Sequence, residues 1–231
     1  MKQLLALLLC SSILIGCSSN PQQNTIIPSV HYTGGQVEGD VTSLYWYSQK
    51  LDKPINAADY VTLEDHSWYK TNYHWSNNIL REIAREGKAN NRDGQLEPFS
   101  VHIRYNSEGA PVYQQYRQNG KVLPLSSDNL LQYLKESQHI IRTVKTQDDK
   151  GIDLFQGIWD GEVFLSCDGK VFEELEFNKV LPSFVVSRLS SVESFFVFLG
   201  HSKEEVVSIS NLLLLADEGY GCIEAPVMIK E

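Results

Sequence analysis

From residue 43 to residue 125, large apolar residues alternate with polar ones, the pattern of strands that turn one face to a core. Residues 43–47 (Ser-Leu-Tyr-Trp-Tyr) open this region as an aromatic-rich strand. Residues 59–63 and 67–75 continue it, the latter with Tyr69, Thr71, Tyr73 and Trp75 on one face and Trp68, Lys70, Asn72 and His74 on the other. Asn77-Asn78 suits a tight hairpin turn, since Asn tolerates positive φ. Residues 79–86 fit two patterns. They are good helix formers with Ser76 as a cap, but Ile79, Arg81, Ile83 and Arg85 also alternate, and the strand reading is preferred. Residues 99–105, 112–117 and 121–125 extend the meander, the last two runs joined by Asn119-Gly120, a strong hairpin signal.

One helix interrupts the strands. Leu130, Leu134, Ile141 and Val144 recur at helical spacing between Ser127, read as the N-cap, and Lys145. Laid across the meander, it would cover an apolar face. Residues 154–159, 162–167, 171–177, 194–199 and 208–216 then return to strands, with turns at Asp160-Gly161 and Asp168-Gly169 and a short helix over residues 182–189. The expected fold class is therefore α+β: an antiparallel β-rich meander packed on one main helix over residues 39–150, followed by a C-terminal β subdomain over residues 151–231, a small barrel or curled sheet. No fixed-period repeat suggests a solenoid or propeller.

The N-terminus has a different character. Lys2 precedes a short apolar run that ends in Leu14-Ile15-Gly16-Cys17, the parts of a secretory signal and too short to span a bilayer. The last four residues resemble a bacterial lipobox. That resemblance implies a signal peptide over residues 1–16, cleavage before Cys17 and acylation of its thiol; an ordinary signal peptide is the plainer alternative. Ser18, in place of the Asp that commonly retains such proteins at the inner membrane, points to the periplasmic face of the outer membrane. Two or three acyl chains anchor a protein where one would not. Residues 17–38, rich in Ser, Gln, Asn and Pro and including the pair Gly34-Gly35, read as a lipidated cysteine and flexible tether.

The compartment gives the cysteines meaning. Cys10 leaves with the signal and Cys17 carries lipid, so Cys167 and Cys222 remain of the four. An even pair under oxidising conditions is most simply a disulfide, against the alternative of two buried thiols. A formal charge of −9 makes nucleic acid a poor partner. An apolar content of 42% suffices for a packed core.

Three catalytic motifs are absent: there is no Gly-x-Ser-x-Gly elbow, His-Glu-x-x-His helix or Walker loop. Residues 89–100 mimic a calcium loop through Asn91, Asp93 and Gly94, but Ala89 and Ser100 stand where its first ligand and bidentate Glu belong. His66 and His74 are eight residues apart, no known metal-ligand spacing. No metal and no cofactor is expected. The best lead is the aromatic set Tyr45, Trp46, Tyr47, Trp68, Tyr69, Tyr73 and Trp75, which either offers a stacking surface to a glycan or protein or, the favoured reading, seals the core against the helix.

The segment Gly157-x-Trp159-x-Gly161 with Val163, then Ser166-Cys167-Asp168-Gly169, Leu212 to Asp217 and Cys222, resembles the C-terminal half of the YjaH-like lipoproteins, a family of bacterial domains of unknown function. The similarity extends to the lipobox and to residues 73–83. It implies pairing of Cys167 with Cys222 and a strand at residues 79–86, and it supplies no functional residues. The expectation is a membrane-anchored periplasmic lipoprotein, non-enzymatic, that binds an envelope protein or glycan. The alternative is an envelope hydrolase whose site draws together His66, His74, Asp160 and Glu162.

Overall fold

The computed structural model describes residues 28–178, 180, 182–189, 192–217 and 219–226. The signal expected over residues 1–16 and the lipidation expected at Cys17 lie outside them. The first eight strands run up and down in chain order as one antiparallel sheet: β1 (Val30–Glu38), β2 (Val41–Lys50), β3 (Lys53–Leu63), β4 (Trp68–Ser76), β5 (Ile79–Asn90), β6 (Leu96–Tyr105), β7 (Pro111–Gln118) and β8 (Lys121–Leu123). Asn77 and Asn78 both adopt positive φ between β4 and β5, as do Asn119 and Gly120 between β7 and β8. Two central residues of that conformation match the twist of paired strands. Leu51 and Asp52 make the same turn between β2 and β3, with no residue type that announces it.

The tether expected over residues 17–38 ends sooner than its composition suggested, because residues 30–38 form β1. Gly34-Gly35 is not a turn. The pair sits mid-strand, where the helix α1 (Ser127–Asp148) comes close: a Cβ on Gly34 would strike the side chain of Gln147, and one on Gly35 would lie 2.6 Å from the carbonyl oxygen of Ser43. The Gln147 amide then serves as a strand neighbour. Its Nε2 donates to the Gly35 carbonyl at 2.7 Å, and its Oε1 accepts from the Gly35 N–H at 3.1 Å. Helix α1 starts one residue earlier than expected, because Ser126 rather than Ser127 is the N-cap, in a reciprocal capping box with Asn129.

Alternation makes both faces of the first sheet apolar near β2. Tyr45 and Tyr47 point towards Ile140 and Val144 of α1, in a core with Tyr73, Ile83, Val101 and Ile103. Leu44 and Trp46 point the other way, onto Phe195, Val197 and Leu213. Those residues belong to a second sheet of six strands: β9 (Asp153–Trp159), β10 (Phe164–Ser166), β11 (Val171–Phe172), β12 (Glu174–Phe177), β13 (Ser194–Lys203) and β14 (Val206–Asp217), ordered β11-β10-β9-β13-β14-β12. All pairs are antiparallel except β12 with β14. Its far face buries Phe164, Phe172, Phe196 and Phe198, with Leu189 of the short helix α2 (Ser183–Leu189) packed against them.

The expectation of an α+β fold is thus overturned. The described residues are mostly β, 57% strand and 15% helix, and form two sheets with one long helix rather than a meander resting on a main helix. The physical reason lies in the alternation around Tyr45. Leu44 and Trp46 belong to a second buried face, and a large sheet rather than solvent covers it.

Cys167 and Cys222 form a disulfide, with Cα atoms 5.9 Å apart across 55 residues. It fastens the segment after β14 to the β10–β11 turn. Gln156 holds the same segment with both ends of its amide, donating to the Ile223 carbonyl at 2.8 Å and accepting from the Ile223 N–H at 2.9 Å. Replacing both cysteines by Ala should lower unfolding free energy by about 2 to 4 kcal/mol, mainly through the freed unfolded chain. Urea denaturation of oxidised wild type against the double variant measures the difference, and equal midpoints would contradict it.

Candidate functional site

A polar rung crosses the apolar inner face of the first sheet. Register places Tyr45 of β2 opposite Asp59 of β3, Asp59 opposite Thr71 of β4, Thr71 opposite Arg85 of β5, and Arg85 opposite Val101 of β6. Directly opposed residues share a face, so Asp59 and Arg85 are carried inward together with their apolar neighbours. Arg85 is 8% exposed. Its Nε donates to Thr71 Oγ1 at 2.8 Å, and its Nη2 donates to Tyr73 Oη at 3.2 Å and to Glu136 Oε2, on α1, at 2.6 Å. Its guanidinium lies 4.1 Å from the ring centroid of Tyr69 and 4.7 Å from that of Tyr133, also on α1. Burial alone opposes its charge, but Tyr73, Asp59 and Glu136 outweigh that and hold it protonated.

Asp59 is the less satisfied partner. Its Oδ2 lies 3.9 Å from Arg85 Nη2, while Oδ1 is buried with no hydrogen-bond partner. Burial pushes its carboxyl up to about 6, although Arg85 and Thr71 pull it back. Burial likewise raises the Tyr45 hydroxyl to about 12 and lifts those of Tyr69 and Tyr73.

Asp59 lines a cavity of about 450 Å³ between α1 and the sheet. Tyr45 and Tyr69 share its inner wall, and Glu136 and His139 close it from the helix; the exposed Lys135 and Arg142 stand at its mouth. The His139 ring is turned by a hydrogen bond to Gln36 Oε1 at 3.1 Å and meets Tyr45 edge-on. A larger hollow of about 660 Å³ lies beside the disulfide. Of the carboxylates that line it, Asp168 accepts from Ser166 Oγ and pairs with Lys170, while the fully buried and unpartnered carboxylate oxygen lies in the cleft under α1.

The aromatic set does not form a surface. Tyr45, Tyr47, Tyr73 and Trp75 are buried on the face towards α1, Trp46 packs on the second sheet, and Trp68 and Tyr69 are half-buried. The alternation that separates Trp46 from its neighbours also divides the group between two layers. Three of its members, Tyr45, Tyr69 and Tyr73, instead surround the Asp59–Arg85 pair.

The four residues of the hydrolase alternative are not brought together. His66 precedes β4 and His74 lies near its far end, roughly 25 Å away at the strand rise of about 3.3 Å per residue. His74 Nδ1 meets Asn56 Oδ1 at 2.8 Å. Asp160 and Glu162 lie together in the turn between β9 and β10, where the Asp160 carboxylate accepts from the N–H groups of Val163 and Glu162 and is held below its ordinary range by them. In the calcium-like segment, Asn91 Oδ1 accepts from the N–H groups of Asp93 and Gln95, an Asx turn between β5 and β6. Among the described residues no three His, Cys, Asp or Glu side chains are placed to hold a metal ion.

Fold and cleft together define a two-sheet β protein with a charged, helix-covered cleft. The chain belongs to the family of proteins of unknown function DUF1481, whose family model matches residues 33–227 and so takes in both sheets and the disulfide. No curated protein and no solved structure matches it.

Asp59 gives stability a pH dependence of known sign. Its folded pKa stands above the unfolded value near 3.9, so its contribution is present at low pH and is lost as pH rises through about 6. Between pH 5 and 7.5 the wild type should lose about 1 kcal/mol that Asp59→Asn does not lose. Parallel pH dependences of the two proteins in urea denaturation would refute this.

Proposed function

We propose that the protein is a lipid-anchored envelope protein that binds a small polar ligand in the cleft beneath α1, without turning it over. The observation that carries this reading is Asp59 Oδ1, a buried acceptor with no partner that lines a cavity of ligand size. The Tyr45 hydroxyl, at about 12, is no base near neutral pH, and Arg85 is already committed to Thr71, Tyr73 and Glu136, so Asp59 is the acceptor that the cleft offers to a ligand.

The location is read from the N-terminus. Leu14-Ile15-Gly16-Cys17 followed by Ser18 supports acylation of Cys17 and residence on the periplasmic face of the outer membrane. The Cys167–Cys222 disulfide suits an oxidising compartment, and the likeness to the YjaH-like lipoproteins agrees with it. No helix among the described residues is long and apolar enough to cross a membrane. An envelope protein or glycan reaches the molecule through the cleft or its rim in this reading, since the aromatic set is divided between layers.

Two measurements test it. Cys17→Ser should move the protein from the membrane fraction to the soluble fraction, and continued partition with membranes would refute lipid anchoring. Native mass spectrometry of wild type incubated with a small-molecule extract of the bacterial envelope should show an added mass that Asp59→Asn loses. An extract that adds no mass to wild type would refute the cleft as a binding site.

A further inference from the structure

The charge in the cleft changes sign from its depth to its mouth. Inside, Arg85 carries one positive charge against the two carboxylates of Asp59 and Glu136. One negative charge is left over, on the side of the unpartnered Oδ1. A buried charge is costly until something pairs with it, so the acceptor calls for a donor that is itself positive. Tyr45 and Tyr69 line this end of the cavity, the latter with the Arg85 guanidinium over its ring.

At the mouth the balance reverses. Lys135 and Arg142 lie two helical turns apart on α1 and both border the cavity, against the single carboxylate of Glu38 on β1. Asp59, Lys135 and Arg142 line the same cavity.

Taking the cleft as the binding site proposed above, we infer that its ligand is a small zwitterion, with an ammonium group bonded to Asp59 Oδ1 and an anionic group held by Lys135 and Arg142. An overall neutral molecule of this kind satisfies both ends of the cleft, whereas a simple amine leaves the mouth unpaired and a simple anion meets a carboxylate inside. The same chemistry occurs in free amino compounds and in the headgroup of an aminophospholipid.

Titration calorimetry on the full folded chain separates the cases, with glycerophosphoethanolamine, β-alanine, ethylamine and inorganic phosphate as probes. Glycerophosphoethanolamine or β-alanine should bind at least tenfold more tightly than ethylamine, and phosphate should not compete. Asp59→Asn, whose fold is checked by circular dichroism, should abolish binding of the zwitterions. The exposed pair Lys135→Ala and Arg142→Ala should reduce zwitterion affinity to that of ethylamine while leaving ethylamine unchanged. Vesicles containing phosphatidylethanolamine, compared with vesicles of phosphatidylglycerol, distinguish a headgroup from a free molecule; capture by the former alone and binding of the soluble probes alone both support the inference and name the source.

Equal binding of phosphate and zwitterion would overturn it, as would an ethylamine signal that sodium chloride reproduces, the mark of a bare cation site. If none of the probes binds but an envelope extract yields a different ligand dependent on Asp59, the zwitterion inference falls and the cleft stands. If the extract also yields nothing, both fall.

Discussion

Arg85 stands with Asp59 and Thr71 on a sheet face that is otherwise largely apolar, and the seat of α1 depends on what its guanidinium bonds. It reaches Thr71 and Tyr73 within the sheet and Glu136 on the helix, with the rings of Tyr69 and Tyr133 on either layer. Apolar contact alone lets a helix slide or rotate on a sheet at little cost, because such contact is non-directional. A buried ion pair with several hydrogen bonds does not, since displacing one partner exposes an uncompensated charge to a low-dielectric interior. The helix is therefore located by Arg85 and stabilised by Ile140 and Val144.

The same arrangement keeps a cavity open. Glu136 takes the best of Arg85's donors at 2.6 Å and leaves Asp59 at 3.9 Å, a distance that gives attraction without a hydrogen bond. A shorter Asp59–Arg85 contact would have satisfied the carboxylate and removed the reason for anything to bind. Incomplete pairing at one atom thus connects the packing of the helix to the proposed function.

Much of the meander was legible because its signals are local. Asn77-Asn78 and Asn119-Gly120 mark turns by residue type, and the alternation of Tyr69, Thr71, Tyr73 and Trp75 marks a face. The Leu51-Asp52 turn and β1 were not legible, since neither Leu51 nor Gly34-Gly35 advertises its conformation; Gly34 is explained by a helix that arrives more than a hundred residues later, and Gly35 by the close approach of the Ser43 backbone and Leu213. The site escaped for a similar reason. Arg85 meets Thr71 across 14 residues and Glu136 across 51, separations that carry no periodic signature. The signal available was a charge on an inward face, Asp59 in step with Ala57 and Val61 and Arg85 in step with Ile83, and it was read as ordinary strand alternation. The α+β expectation failed because both sides of the Tyr45 strand are buried, and alternation of two apolar sets looks like one aromatic run.

The two glutamine amides bear on the order in which the molecule can assemble. Gln147 grips Gly35 from 112 positions away, and Gln156 grips Ile223 from 67. Contacts of such separation form late, after the entropy of the intervening chain has been given up. The first described strand and the segment after β14 are therefore each fastened by a glutamine from the middle of the sequence, and these two ties join parts of the chain that local turns cannot bring together.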